Sequence, residues 1–169
     1  MVNPWMHDTE IHLVLKHLYY TDTMLEWGSG GSTLYFSQFV KDYYSIEHDK
    51  EWYENILQYK IPNLEYHHIP RDLPVSSPST REQYQTYIEH IHTLGIKKFD
   101  KVFIDGRGRG WCAEEAIPYL HKDSIVFMHD FWNRPQYHIV FEWYDEIASI
   151  KTPGLQTIVA LKLKNKFLI

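Results

Sequence analysis

The sequence predicts an α/β fold: a doubly wound, mostly parallel sheet of seven strands with an antiparallel edge strand. Three observations predict it. Short apolar runs alternate with longer stretches at helical spacing, as strands joined by crossover helices do. One short run, Ile125-Val126-Phe127-Met128, is wholly apolar, which fits a sheet covered on both faces. The last two runs lie close together and suit a terminal hairpin.

Asp8 to Tyr19 places Ile11, Val14, Leu15 and Leu18 at helical spacing, with Asp8 or Thr9 available as a cap. Thr23 to Trp27 reads as the first strand, and Ser32 to Lys41 as a helix turning Phe36, Phe39 and Val40 inward. Tyr43 to Ile46 is the second strand, followed by a helix from Lys50 to about Tyr59. Leu64 to Ile69 is the third strand, and the Pro- and Ser-rich stretch Pro70 to Pro78 is a loop. Thr80 to Leu94 is amphipathic, and Gly95 stops it. Lys101 to Ile104 is the fourth strand, Trp111 to Leu120 a helix, and Ser124 to Met128 the fifth strand. A long helix is expected over Tyr137 to Ile150, then a hairpin of Thr157 to Leu163 with Phe167 to Ile169. There are no repeats and no low-complexity segments.

A chain of 169 residues suits one domain, residues 1–169, and its abrupt start suits a domain cut from a longer protein. The net charge is −5 and no Lys/Arg stripe stands out, which disfavours nucleic-acid binding. A single cysteine, Cys112, excludes an internal disulfide framework and fits a reducing compartment. No apolar run reaches the roughly 18 residues of a membrane span and no signal-peptide core is present, so a cytoplasmic protein is expected. The eleven histidines include no H-E-x-x-H pair, and the lone cysteine leaves no Cys pair for zinc. Aromatic residues make up 16% of the chain, enough to wall a cleft for a sugar or another flat ligand.

The chemistry concentrates where strands end, the place where such sheets bind ligands. The first strand ends in Glu26-Trp27-Gly28-Ser29-Gly30-Gly31-Ser32. One glycine would serve a plain turn, whereas three let a ligand approach the backbone amides. The dinucleotide fingerprint G-x-G-x-x-G fails at Thr33, leaving E-x-G-x-G-G. The second strand ends in Glu47, at the offset where an acid reaches a ribose diol. The fourth ends in Asp105-Gly106-Arg107-Gly108-Arg109-Gly110-Trp111, and the fifth in His129-Asp130-Phe131-Trp132-Asn133-Arg134. A His-Asp pair after so apolar a strand is costly unless it has partners or a task.

From Met24 to about Tyr137 these segments resemble class I S-adenosylmethionine-dependent methyltransferases, whose sheet is Rossmann-like. The likeness is greatest to compact sugar and catechol O-methyltransferases, and within them to the domains in glycan-synthesising enzymes of chloroviruses that methylate rhamnose. The resemblance implies S-adenosylmethionine as cofactor. It would be held by Glu26, Gly28, Ser29, Gly30 and Ser32, by Glu47 at the ribose, by Asp72 at the adenine and by Asp105 at the methyl-donor end. Arg107, Arg109, Trp132 and Arg134 would bind a small-molecule or glycan acceptor, with Trp111 stacking on the adenine or a sugar face. Metal-dependent members place carboxylates where Asp105 and Asp130 stand, but Phe131 replaces their asparagine. That departure leaves Mg2+ or Mn2+ open. A sugar hydroxyl is a poor nucleophile until a base or a metal takes its proton. His129 is the expected base, with Asp130 orienting it or binding metal, and Asp105 completes the catalytic set. A nicotinamide-dependent oxidoreductase and a non-catalytic binding module are the rival readings. The sequence sets no oligomeric state.

Overall fold

The computed structural model describes residues 4–151 and 157–168. Seven strands form one sheet: β1 (Thr23–Trp27), β2 (Asp42–Glu47), β3 (Leu64–His68), β4 (Phe99–Ile104), β5 (Leu120–His129), β6 (Tyr144–Ile150) and β7 (Ile158–Leu163). Their order is β3-β2-β1-β4-β5-β7-β6. The first five run parallel, and β7 is inserted antiparallel between β5 and the edge strand β6. This is the expected doubly wound sheet, with antiparallel pairing confined to one side. Strand order reverses between β1 and β4, so their carboxyl ends diverge into a crevice.

The sheet buries both faces because neighbouring residues in a strand point to opposite sides. Leu25, Trp27, Val102, Ile104, Val126 and Met128 pack into one core. Met24, Phe103 and Phe127, from the same strands, pack into the other with Phe36 and Val14.

The helices are shorter than their periodicity implies. They are α1 (Asp8–Leu15), α2 (Gly31–Phe36), α3 (Lys50–Leu57), α4 (Gln85–Glu89) and α5 (Arg109–Ala116). Helix α1 starts on His7 rather than on Asp8 or Thr9. The His7 ring accepts from the Thr9 amide at 3.4 Å, and Glu10 accepts from the His7 amide at 2.8 Å. Only the middle of Thr80 to Leu94 is α-helical, flanked by tighter 3-10 turns at Arg81–Tyr84 and His90–Thr93.

The expected helix over Tyr137 to Ile150 does not form. Pro135–Glu142 is a 3-10 segment and Tyr144–Ile150 is strand β6. Its apolar spacing suits a helix, but helix preference is weak beside a ladder of pairing with β7 that takes in most of the strand. The terminal hairpin is also replaced. Strand β7 pairs with β5 and β6, and Asn165–Phe167 is a 3-10 turn; Ile169 lies outside the described residues. Among those residues, no helix is long and apolar enough to cross a membrane.

Candidate functional site

At the end of β1 the chain turns sharply and is stitched to both neighbouring strands. The Gly28 amide donates to the Ile46 carbonyl at 2.9 Å, and the Trp27 carbonyl accepts from the Gly106 amide at 2.8 Å. Gly28 has φ +89, and a side chain there would strike the backbone of Gly106 at 2.4 Å. Gly30 differs: an added Cβ would meet nothing within 4 Å. The fold demands glycine at the first position, while the second opens onto empty space beside the turn.

Glu26 lies beneath this turn and not on its surface. It is fully buried and accepts from the hydroxyls of Ser32 at 2.6 Å, Thr33 at 2.6 Å and Ser45 at 2.8 Å. Burial pushes its carboxyl up to about 7 against the pull of those hydroxyls. Glu26 therefore shapes the loop from below, and Ser32 is shared between Glu26 and the cleft wall.

Glu47 does face the cleft. Its carboxylate accepts from the Ser29 amide at 2.7 Å, the Ser29 hydroxyl at 3.0 Å, and the His48 and Asp49 amides at 2.8 and 2.7 Å. Burial raises its pKa, but the His48 ring and these amides prevail and hold it below the ordinary value. Asp72 is elsewhere. It sits on an exposed loop with its carboxylate occupied by the Thr86 amide at 2.9 Å and the Thr86 hydroxyl. That capping task replaces the adenine contact expected of it.

Beyond the turn, Asp105, His129 and Asp130 converge from the ends of β4 and β5, each offering a ligand atom within 4.8 Å of the others. His129 is 2% exposed, with Nδ1 3.0 Å from Asp105 Oδ1 and Nε2 3.6 Å from Glu10 Oε1. Burial opposes the charged ring, but Asp105 and Glu10 overcome it and raise its pKa to about 9. Asp105 is held below its usual value: burial raises it, and His129 and Arg109 outweigh that. These partners favour the charged imidazolium over the neutral ring that the expected base would need. The raised pKa also fixes a pH dependence. The stabilisation is complete below the unfolded value near 6.5 and is lost as pH rises through about 9. Urea unfolding across that window should lose up to about 3 kcal/mol, and His129→Gln should flatten the slope.

The arginines divide their labour. Arg109 is buried, donating Nε to the Gly106 carbonyl at 3.0 Å and lying 3.1 Å from Asp105 and 3.6 Å from Asp130. It ties two strand ends together and has little left for an acceptor. Arg134 reaches Asp130 at 3.2 Å. Asp130 itself adopts φ +51, an unusual conformation for a residue with a side chain. Trp132, expected at the acceptor, packs instead against Phe131, His138 and Phe141 under the Lys151 ammonium, 3.5 Å from its ring centre.

Two connected lobes lie over the turn, of about 230 and 270 Å³, sharing Ser29, Trp52 and Asp105 as walls. Glu47 and His48 line the second lobe. Trp5 and Met6 roof the first, and Trp5 meets Trp52 edge to face at 5.6 Å. Sequence reasoning missed Glu10, Trp5 and Trp52. Glu10 sits in a helix whose pattern gave it no distinction, and the two tryptophans meet only through tertiary packing.

No protein-family model and no curated protein sequence matches the chain. Among solved structures, a methyltransferase-like protein from Silicibacter pomeroyi gives a TM-score of 0.70 at 22% identity, over 97% of this chain and 91% of that one. A Streptococcus mutans protein in complex with SAH gives 0.63 at 9% identity, over 94% and 100%. A SAM-dependent methyltransferase from Aquifex aeolicus gives 0.63 at 14% identity, over 94% and 91%. The fold is therefore the Rossmann-like fold of class I methyltransferases. At these identities the likeness reaches the fold and no further.

Proposed function

We propose that the protein is an S-adenosylmethionine-dependent O-methyltransferase acting on a hydroxyl of a sugar, such as rhamnose in a glycan, or of a similar small acceptor. One observation carries this reading: the turn at Gly28 to Ser32, the Glu47 carboxylate that it grips through Ser29, and Asp105 together line two adjoining lobes. Glu47 is held in its charged form, and the adjacent ribose hydroxyls that a carboxylate suits would share its oxygens with the Ser29, His48 and Asp49 donors. The space beside Gly30 leaves the loop backbone accessible to the amino-acid end of a nucleoside. S-adenosylmethionine bound there would supply a methyl group from its sulfonium, with the neutral thioether of S-adenosylhomocysteine as the leaving group.

With His129 protonated, Asp105 becomes the carboxylate that receives the acceptor's proton. It lines both lobes and is kept ionised by Arg109 and His129. Asp105 and Asp130 offer carboxylates that would hold Mg2+ or Mn2+, which would activate the hydroxyl and orient it, and His129 would join them only as the neutral ring. Such an ion has to compete with Arg134 and Arg109 for Asp130. The chain's acidity favours a small acceptor over a nucleic acid.

Calorimetry should register S-adenosylhomocysteine and not NADH. Glu47→Gln should weaken that binding by roughly tenfold to a hundredfold, the scale of lost charge-assisted hydrogen bonds. Unchanged affinity would remove Glu47 from the site. Incubation with S-adenosylmethionine and a panel of monosaccharide glycosides, with and without EDTA, then reads reaction, acceptor class and metal need by mass spectrometry. Absence of methylated product from every glycoside and from glucose 6-phosphate and glucuronate, with cofactor bound, would leave the non-catalytic reading in its place.

A further inference from the structure

Next to the loop cleft lies a second, larger one of about 710 Å³, within the range of small-molecule sites. Arg107 and Arg134 line both clefts and form the junction between them. The walls beyond are aromatic, from Trp111 at the start of α5 to Tyr137 and Trp143. Aromatic walls suit a ring, whether a pyranose or an aromatic one, and the Arg109 guanidinium lies over the Tyr137 ring at 5.7 Å from its centre.

The charges at the junction are unequal. Arg134 is paired with Asp130, and Glu114 on the far wall is paired with Arg81 at 3.0 Å. Arg107 is exposed and makes no ion pair or side-chain hydrogen bond among the described residues. An unmatched guanidinium at the mouth of an aromatic cleft is notable in a chain of net charge −5. Its planar fork matches a carboxylate or phosphate by two parallel hydrogen bonds.

We propose that this second cleft holds the acceptor, and that the acceptor is an anionic hydroxylated ring whose phosphate or carboxylate is bound by Arg107 while its ring lies against Trp111 and Tyr137. The identification of the occupant as an acceptor rests on the methyl-transfer reading; the preference for an anionic ring rests on the cleft alone.

Calorimetry with three probes tests it: glucose 6-phosphate, glucuronate and neutral methyl glucoside. At least one acid should bind roughly tenfold tighter than the glycoside, and Arg107→Gln should erase that difference. Trp111→Ala should weaken acid and glycoside alike. The two acids separate phosphate from carboxylate as the preferred group. The proposal is overturned if neither acid binds at millimolar concentration, if the glycoside binds as well as both acids, or if Arg107→Gln leaves the preference intact. It is equally overturned if Arg107→Gln weakens S-adenosylhomocysteine as much as the acids, because Arg107 would then serve the nucleoside. Acid binding without S-adenosylhomocysteine binding would keep an anion-binding cleft and remove the methyl-transfer reading.

Discussion

Gly28→Ala should destabilise the protein by about 3 kcal/mol or more and abolish S-adenosylhomocysteine binding in whatever remains folded. Two costs add at this position. A residue with a Cβ resists φ +89, and the new methyl would lie 2.4 Å from the Gly106 Cα and nitrogen and 2.9 Å from the Asp105 carbonyl carbon. Those atoms are backbone, so no side chain can swing aside. The end of β4 has to move, and Asp105 moves with it. Gly30→Ala is the informative companion. Its Cβ meets no protein atom within 4 Å, so unfolding in urea should stay near wild type while ligand affinity falls. A wild-type midpoint for Gly28→Ala would refute the close approach of the two strand ends. Wild-type affinity in Gly30→Ala would mean that the space beside the turn is not ligand space.

His129→Ala should cost about 3–5 kcal/mol in stability, besides whatever it does to turnover. The ring sits between Asp105 and Glu10, and Glu10 is wholly buried with Oε1 lacking any hydrogen-bond partner. Removing the imidazolium strands a buried carboxylate. Adding Glu10→Gln to His129→Ala should therefore recover part of the loss. Strict additivity in that double-mutant cycle would show that the two residues do not interact. The same cycle separates a charge-balancing histidine from a proton-accepting one, which would lower turnover with little effect on unfolding.

The strand ends were legible because their information is local. An apolar run followed at once by Gly28, Glu47, Asp105 or His129 identifies both the strand and the residue it delivers to the crevice. Glu26 was legible as an important residue but not in its task, since three hydroxyls from two other elements close over it only in the folded chain. Asp72 and Trp132 illustrate the opposite limit. Both lie in loops after strands, where a carboxylate finds Thr86 and an indole finds an aromatic cluster that no linear spacing announces. The role of His129 turned on Asp105, from the neighbouring strand end, and on Glu10, contributed by the first helix. Its protonation was therefore invisible from the His-Asp motif. The segment from Tyr137 to Ile150 misled for a related reason: its spacing satisfies a helix, while the pairing that makes much of it strand comes from residues 158–163.

Strand β6 closes the sheet on one side, and its composition bears on how the molecule behaves in company. An outermost strand offers unpaired amides and carbonyls to any neighbouring chain. Here it opens with exposed Asp145 and Glu146, and its register breaks between Glu146 and Ala148. These charges, with Lys164 and Lys151 each 3.9 Å away, resist being buried against an identical ribbon, and the irregularity spoils the straight template that intermolecular β-zippering requires. The border thus carries its own deterrent to fibre-like stacking.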